Sequence, residues 1–215
     1  VLLHGITSSG KTEVYIKLIE AALENGGQTL YLLPEIALTT QIISRLKKAF
    51  GNQVGVYHSK LNNNERVETW QRSLSGEYRI VLGARSALLL PFKSLELIIV
   101  DEEHDSSFKQ FDPAPRYHAR DAAIYLASLY KAKVLLGTAT PSIESYHNAM
   151  TSRYGLVTLT ERYGNIQPPD IQLVNLREQL KKRQMQTHFS SELVEKIKTA
   201  LANREQVILF RNRRG

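Results

Sequence analysis

The chain has 215 residues, 42% of them hydrophobic and none of them cysteine. That is enough for one full apolar core and the start of a second, and it excludes disulfides and thiolate metal sites within these residues. The 28 Lys and Arg against 21 Asp and Glu give a net charge of +7, unevenly spread: residues 1–150 hold 16 basic against 15 acidic, residues 151–215 hold 12 against 6. The basic excess includes KKR at 181–183 and RNRR at 211–214, which permits a nucleic-acid partner and equally fits solvated surface. No apolar run approaches the roughly 20 residues that cross a bilayer. No membrane partner is expected, and a reducing, cytoplasmic compartment is the simpler expectation.

In chain order, VLLH at 1–4 reads as a short strand and GITSSGKT at 5–12 as a loop. Lys11 to Asn25 then places apolar residues at three- and four-residue spacing, a helix stopped by Gly26. QTLYLL at 28–33 predicts a strand, Ala37 to Phe50 a helix stopped by Gly51, QVGVYH at 53–58 a strand and Asn64 to Leu74 a helix. RIVLG at 79–83 and LELIIV at 95–100 follow as strands, then a helix over Ala119 to Ala132 and the strand KVLLG at 133–137. Strand and helix alternate, and parallel strands need such crossovers, so the predicted fold class is α/β: a doubly wound, mainly parallel sheet with helices on both faces.

LVTL at 156–159 predicts one more strand, after which the rhythm breaks. The stretch from GNIQPPD at 164–170 to His188 is polar and basic and reads as a linker, with Pro168 and Pro169 unsuited to a ladder interior. A helix from Ser190 to Asn203, capped by Ser190 or Ser191, and a strand QVILF at 206–210 read as the start of a second α/β unit. The expected division is a first lobe over 1–160, a linker over 161–189 and the start of a second lobe over 190–215.

The loop carries the chemistry. Gly5, Gly10, Lys11 and Thr12 satisfy the spacing G-x-x-x-x-G-K-[ST] between a predicted strand and a predicted helix, the context in which that motif cradles phosphates. Glycines let backbone N–H groups turn inward, Lys11 reaches the outer phosphates, the Thr12 hydroxyl ligates Mg²⁺, and the helix N-terminus adds partial positive charge. The expected ATP-binding residues are Gly5, Ile6, Thr7, Ser8, Ser9, Gly10, Lys11 and Thr12. Such a site needs an acid at another strand end, and DEEH at 101–104 follows the most apolar strand. Asp101 is expected to hold Mg²⁺ through water, and Glu102 to orient and deprotonate the attacking water. With Lys11 they form the expected catalytic set, and an acidic turn is the plainer alternative.

GTATPS at 137–142 leaves the sheet where it could sense the outer phosphate. Together with DEEH it resembles the motif set of superfamily-two helicases, which implies a RecA-like lobe. The segments LLPEIALTTQ at 32–41, His58-Ser59, GARSALLLPF at 83–92, DEEHDSSFKQ at 101–110, PRYHARD at 115–121, TATPSIESYHNA at 138–149 and VILFRNRRG at 207–215 narrow the likeness. They resemble the primosomal replication-restart helicases. Two departures stand out: Ser8 replaces a glycine usual in that family, and 111–115 is a residue longer.

The resemblance implies a three-prime to five-prime ATP-dependent DNA helicase acting at single-stranded and forked DNA, with primosome and single-strand-binding proteins as partners in a bacterial cytoplasm. It implies that this chain is mainly the first motor lobe. Adenine contacts are expected upstream of residue 1, and a zinc module and the catalytic arginine beyond residue 215. His104, Gly137, Thr138, Ala139 and Thr140 would couple hydrolysis to motion. Thr39, Thr40, Arg85, Ser86, Phe108, Lys109, Phe111 and Arg116 would contact DNA, the aromatics by stacking on unpaired bases. Thr39 and Thr40 as helix caps, Arg85 as a surface ion pair, and Phe108 and Phe111 as packing residues are the alternatives. A nucleotide-gated DNA-binding or loading ATPase without strand separation is the rival function.

Overall fold

The computed structural model describes residues 1–35, 40–165, 169–181, 185–186 and 189–210. They form two compact units, 1–167 and 168–215.

The first unit is built on seven strands: β1 (Leu2–Gly5), β2 (Gln28–Leu32), β3 (Val54–Tyr57), β4 (Ile80–Gly83), β5 (Leu95–Asp101), β6 (Lys133–Thr138) and β7 (Leu156–Leu159). Every pairing is parallel, in the order β3-β4-β2-β5-β6-β1-β7. All seven coincide with predicted strands, because runs such as LIIV at 97–100 are apolar at every position, the mark of strands buried on both faces. The doubly wound α/β expectation is met.

Between the strands lie α1 (Lys11–Glu24), α2 (Thr40–Phe50), α3 (Asn63–Ser75), α4 (Ala119–Tyr130) and α5 (Ile143–Met150). Successive side chains of a strand go to opposite faces, which divides the core in two. Leu30, Leu32, Ile98 and Val100 join Ala119, Ala123 and Ala127 of α4 and Ala149 of α5 on one face. Tyr31, Leu97 and Ile99 join Tyr15, Ile16 and Ile19 of α1 and Leu46 and Phe50 of α2 on the other. α3 opens with a reciprocal cap: Asn62 accepts from the Glu65 N–H at 2.9 Å and Glu65 accepts from the Asn62 N–H at 2.8 Å.

α5 is not among the predicted helices, although its signal is in the sequence. Ser142 caps it, accepting from the Ser145 N–H, and Ile143, Tyr146 and Met150 recur at helical spacing.

In the second unit α6 (Leu176–Lys181) lies where a linker is expected, followed by a short pairing of β8 (Met185–Gln186) with β9 (Phe189–Ser190) and by α7 (Ser191–Ala202). Ser190, one of the two expected caps, accepts from the Leu193 N–H at 3.2 Å. The predicted strand at 206–210 is corrected. Among the described residues it has no ladder partner, and Ile208 and Phe210 are 93% and 88% exposed. An apolar run becomes a strand only where a neighbour takes its backbone N–H and C=O groups.

Candidate functional site

The sheet order brings three strand ends into one row. β6 lies between β1 and β5, pairing Asp101 with Gly137 on one side and His4 with Thr138 on the other. The loop after β1, the acid after β5 and the threonines after β6 therefore share the C-terminal edge, where open α/β sheets bind ligands.

The loop folds as a cradle. Ser8 and Gly10 take left-handed backbone angles, φ 66° and 88°, which bends successive N–H groups into a concavity. A Cβ at Gly5 would lie 2.7 Å from Ser9 Oγ and 3.0 Å from Lys11 Cγ, so a larger residue there would push both side chains out of the loop. Gly10 caps α1 with no side-chain bond; the Glu13 N–H donates to the Gly10 carbonyl at 2.9 Å, which leaves the Lys11 and Thr12 amides of the first turn for a ligand. Lys11 Nζ donates to the Gly5 carbonyl at 2.8 Å, and the buried Ser9 Oγ has no partner. A cleft of about 630 Å³ opens there, lined by Thr7 to Glu13, Arg45, Asp101, Glu102 and Tyr163. Arg45 is ion-paired to Glu13, and the Tyr163 N–H donates to the Ser8 carbonyl at 2.9 Å.

Asp101 is held from three sides. Tyr15 donates its hydroxyl to Oδ1 at 2.8 Å, Tyr31 donates to Oδ2 at 3.2 Å, and the Glu102 N–H donates to Oδ1 at 3.1 Å. Burial pushes its carboxyl above the ordinary Asp range, opposed by the Tyr15 bond, the Glu102 N–H and the Lys11 charge. Glu102 takes a left-handed backbone, φ 50°, and is only half-buried in the cleft. Burial, then the Asp101 charge, pushes its carboxyl upward, with Lys11 and His104 opposing.

Phosphate and Mg²⁺ fit this donor set. Among the described residues no group of three or more His, Cys, Asp or Glu could hold a metal ion by itself. Mg²⁺ does not require one, since it keeps several waters and binds through one or two protein oxygens plus phosphate oxygens. The oxygens of Thr12 and Asp101 on one cleft supply that many.

His104 joins the acid to the strand-end threonines. Its Nδ1 lies 2.8 Å from Thr138 Oγ1 and 3.6 Å from Glu102 Oε2, and its Nε2 lies 3.3 Å from Thr140 Oγ1. Gly137 is buried, and a Cβ there would lie 1.8 Å from the Tyr15 hydroxyl. Ala139 follows half-buried.

Sequence reading passes over Glu103, which is fully buried. It accepts from Arg120 Nη1 at 3.0 Å, Ser142 Oγ at 3.0 Å, Ser145 Oγ at 2.8 Å and the Ser142 N–H at 2.7 Å. The strand-end acid is thereby tied to α4 and to the start of α5. The one hint in the sequence is that of three consecutive acids after a buried strand, alternation must turn one inward.

The expected DNA contacts divide. Thr39 lies outside the described residues, while Thr40 is exposed as the first residue of α2. Phe108 is corrected: it has no exposed surface and packs in the apolar cluster with Val100 and Ala119, so its ring as placed cannot stack on a base. Phe111, three residues on, is 70% exposed. Arg85 Nη1 donates to the carbonyls of Ser107 at 3.2 Å and Lys109 at 2.6 Å, fastening the aromatic loop to the end of β4. Lys109 Nζ in turn donates to the Arg116 carbonyl at 2.7 Å. Ser86 and Arg116 are exposed. Arg85, Ser86, His58, Ser59 and Gln110 line a second cleft of about 440 Å³.

A phosphate cradle, a strand-end acid and a threonine-bearing strand end on one edge of an all-parallel sheet define a RecA-like P-loop fold. The model of the DEAD/DEAH box helicases matches residues 1–149, and the chain belongs to that family. It is 47% identical over 214 residues to the Replication restart protein PriA of Chlamydia pneumoniae and 45% identical to that of Bacillus subtilis. All of this chain is matched in both cases, and it spans 29% and 26% of their lengths. The resemblance to restart helicases read in the sequence agrees with these relatives. Among solved structures, RecG bound to a three-way DNA junction is similar at TM-score 0.54 and 24% identity, over 80% of this chain and 22% of that one. The helicase domain of Pyrococcus furiosus Hef is similar at TM-score 0.52 and 18% identity, over 76% and 35%. At these identities the structural likeness speaks to fold alone.

Proposed function

We propose that the cleft at the end of β1 binds ATP with Mg²⁺ and hydrolyses it, and that the protein carrying this chain spends the energy as a DNA helicase in replication restart. The observation that carries this reading is the convergence of Lys11, Thr12, Asp101 and Glu102 on one cleft at the N-terminus of α1. Gly5 to Thr12 cradle the phosphates, and Lys11 neutralises the outer ones. Thr12 and Asp101 hold the metal, which when bound screens charge on the phosphates. Glu102, kept in an uncommon left-handed backbone, orients the attacking water and takes its proton.

His104 passes the state of that acid to Gly137, Thr138, Ala139 and Thr140, supported by its contacts with both threonines. DNA runs past Thr39, Thr40, Arg85 and Ser86, and Lys109, Phe111 and Arg116 of the aromatic loop read its presence. Three-prime to five-prime movement, a zinc module elsewhere in the protein, primosome and single-strand-binding partners and a cytoplasmic setting belong to the same reading, supported by the likeness to restart proteins.

The test uses the full protein: phosphate release with and without single-stranded DNA, and strand separation on substrates tailed at either end. DNA-stimulated hydrolysis with separation only in the three-prime to five-prime sense is expected. Stimulated hydrolysis with no separation on any substrate would instead identify a nucleotide-gated loading ATPase.

A further inference from the structure

We propose that Tyr15 and Tyr31 are positioning residues that restrict Asp101 to a single free lone pair, making it a one-point ligand for the hydrated metal and selecting Mg²⁺ over larger cations. The inference rests on the proposed metal role of Asp101.

An ionised carboxylate offers about four acceptor positions. Three are already taken, by the Tyr15 hydroxyl and the Glu102 N–H on Oδ1 and by the Tyr31 hydroxyl on Oδ2. The position that remains is on Oδ2, and Asp101 lines the same cleft as Thr12. Two-oxygen chelation would need a position on Oδ1 as well, and so would require the Tyr15 hydroxyl or the Glu102 N–H to leave.

Neither hydroxyl is free to do so. Tyr15, on the second turn of the helix that carries the cradle, and Tyr31, inside β2, both have no exposed surface. Their rings meet edge to face, centroids 5.6 Å apart and planes at 75°, so each fixes the other. Both pack among Ile16, Ile19, Leu97 and Ile99, which offer no acceptor to a displaced hydroxyl. Gly137 completes the seat, because any side chain there would occupy the position of the Tyr15 hydroxyl. The cradle helix, β2 and the end of β6 thus all bear on the orientation of one carboxylate.

The chemical consequence is selectivity. Ca²⁺ takes six to eight oxygens and often a two-oxygen carboxylate, whereas Mg²⁺ keeps its waters and accepts single-point contacts. A carboxylate with one free position suits the second and penalises the first.

The experiment compares the full protein with Tyr15→Phe and Tyr31→Phe, each losing one hydroxyl and no ring. Half-saturation by Mn²⁺ in the presence of ADP is read by electron paramagnetic resonance, and Ca²⁺ competition is read against it. Outer partners of metal ligands typically govern about 10–100-fold of affinity, so Mn²⁺ binding at least about 10-fold weaker is expected in both variants, with Ca²⁺ competing better in Tyr15→Phe, which opens the saturated oxygen. ADP affinity without metal should stay unchanged. Mn²⁺ half-saturation within about twofold of the parent in both variants would overturn the inference. If Tyr15→Phe does not fold, Tyr31→Phe, acting on the other oxygen, decides by its Mn²⁺ affinity. Asp101→Asn separates this failure from that of the underlying reading. If it too leaves Mn²⁺ binding unchanged, Asp101 is not the metal acid; if it weakens binding while the Phe variants do not, only the role of the tyrosines is wrong.

Discussion

Glu102 combines a left-handed backbone with a carboxyl pushed upward by burial and by the Asp101 charge, a pairing that suits a base meeting water at the mouth of a cleft. Glu102→Gln keeps size and polarity and removes the base, so turnover in the full protein should fall by about 10²–10⁴ while Mg·ATP affinity is retained. Steady-state hydrolysis beside equilibrium nucleotide binding checks this, and near-normal kcat would remove Glu102 from the role. Asp101 makes a stability prediction. Its folded pKa is raised, so the folded state holds the proton more tightly than the unfolded chain and ionisation costs stability as pH rises through that interval. Nucleotide-free Asp101→Asn should therefore melt higher than the parent at pH 7–8, with the gain shrinking towards pH 4. An equal difference at both pH values would contradict it. Phe108 and Phe111 should part company: Phe108→Ala should cost about 3–5 kcal/mol of stability, whereas Phe111→Ala should melt normally and lose stimulation of hydrolysis by single-stranded DNA. Melting curves and DNA titrations of the two single variants distinguish packing from contact.

At the scale of elements, the connection from β5 into α4 and α5 hangs on the buried pair of Glu103 and Arg120, whose side chains are 0% and 10% exposed. Four donors converge on that carboxylate, and Ser142 both caps α5 and belongs to the network. Removing one partner strands the other charge, so Arg120→Ala should lose about 3–5 kcal/mol in denaturant unfolding. Arg120→Lys should lose less, because an ammonium still compensates the carboxylate. A loss under about 1 kcal/mol for Arg120→Ala would mean that the serines and the Ser142 amide satisfy Glu103 unaided. The pair also explains how an acid next to the cleft is held rigidly: its neighbour is anchored in the core.

For the molecule as a whole, the cations lining the cleft at the end of β1 are Lys11 and Arg45, and Arg45 is engaged by Glu13. An arginine facing the transferring phosphate is worth about 10³–10⁵ in kcat, and the proposed two-lobed motor would carry it on the second lobe. Residues 1–215 alone should therefore release phosphate very slowly with or without single-stranded DNA. Robust DNA-stimulated turnover from these residues would show that the catalytic arginine is among them, with Arg45 the first to substitute.

The sequence alone determined the cradle at 5–12, the acid at 101–102 and all seven strands of the sheet. Those signals are local: contiguous spacing between a strand and a helix, and apolar runs whose length and flanks need no knowledge of the partner. Tertiary structure decided which strand ends meet, because the position of β6 between β1 and β5 follows from crossovers and not from any residue pattern. It also decided which of two phenylalanines three residues apart is buried, which of three consecutive acids turns inward, and that two tyrosines of the apolar core spend their hydroxyls on Asp101. Burial and hydrogen-bond partnership depend on what lies across the interface, and for the run at 206–210 the same dependence works in reverse. Its composition asks for a strand, but without a neighbour's backbone among the described residues to complete the ladder, apolar character alone does not make one.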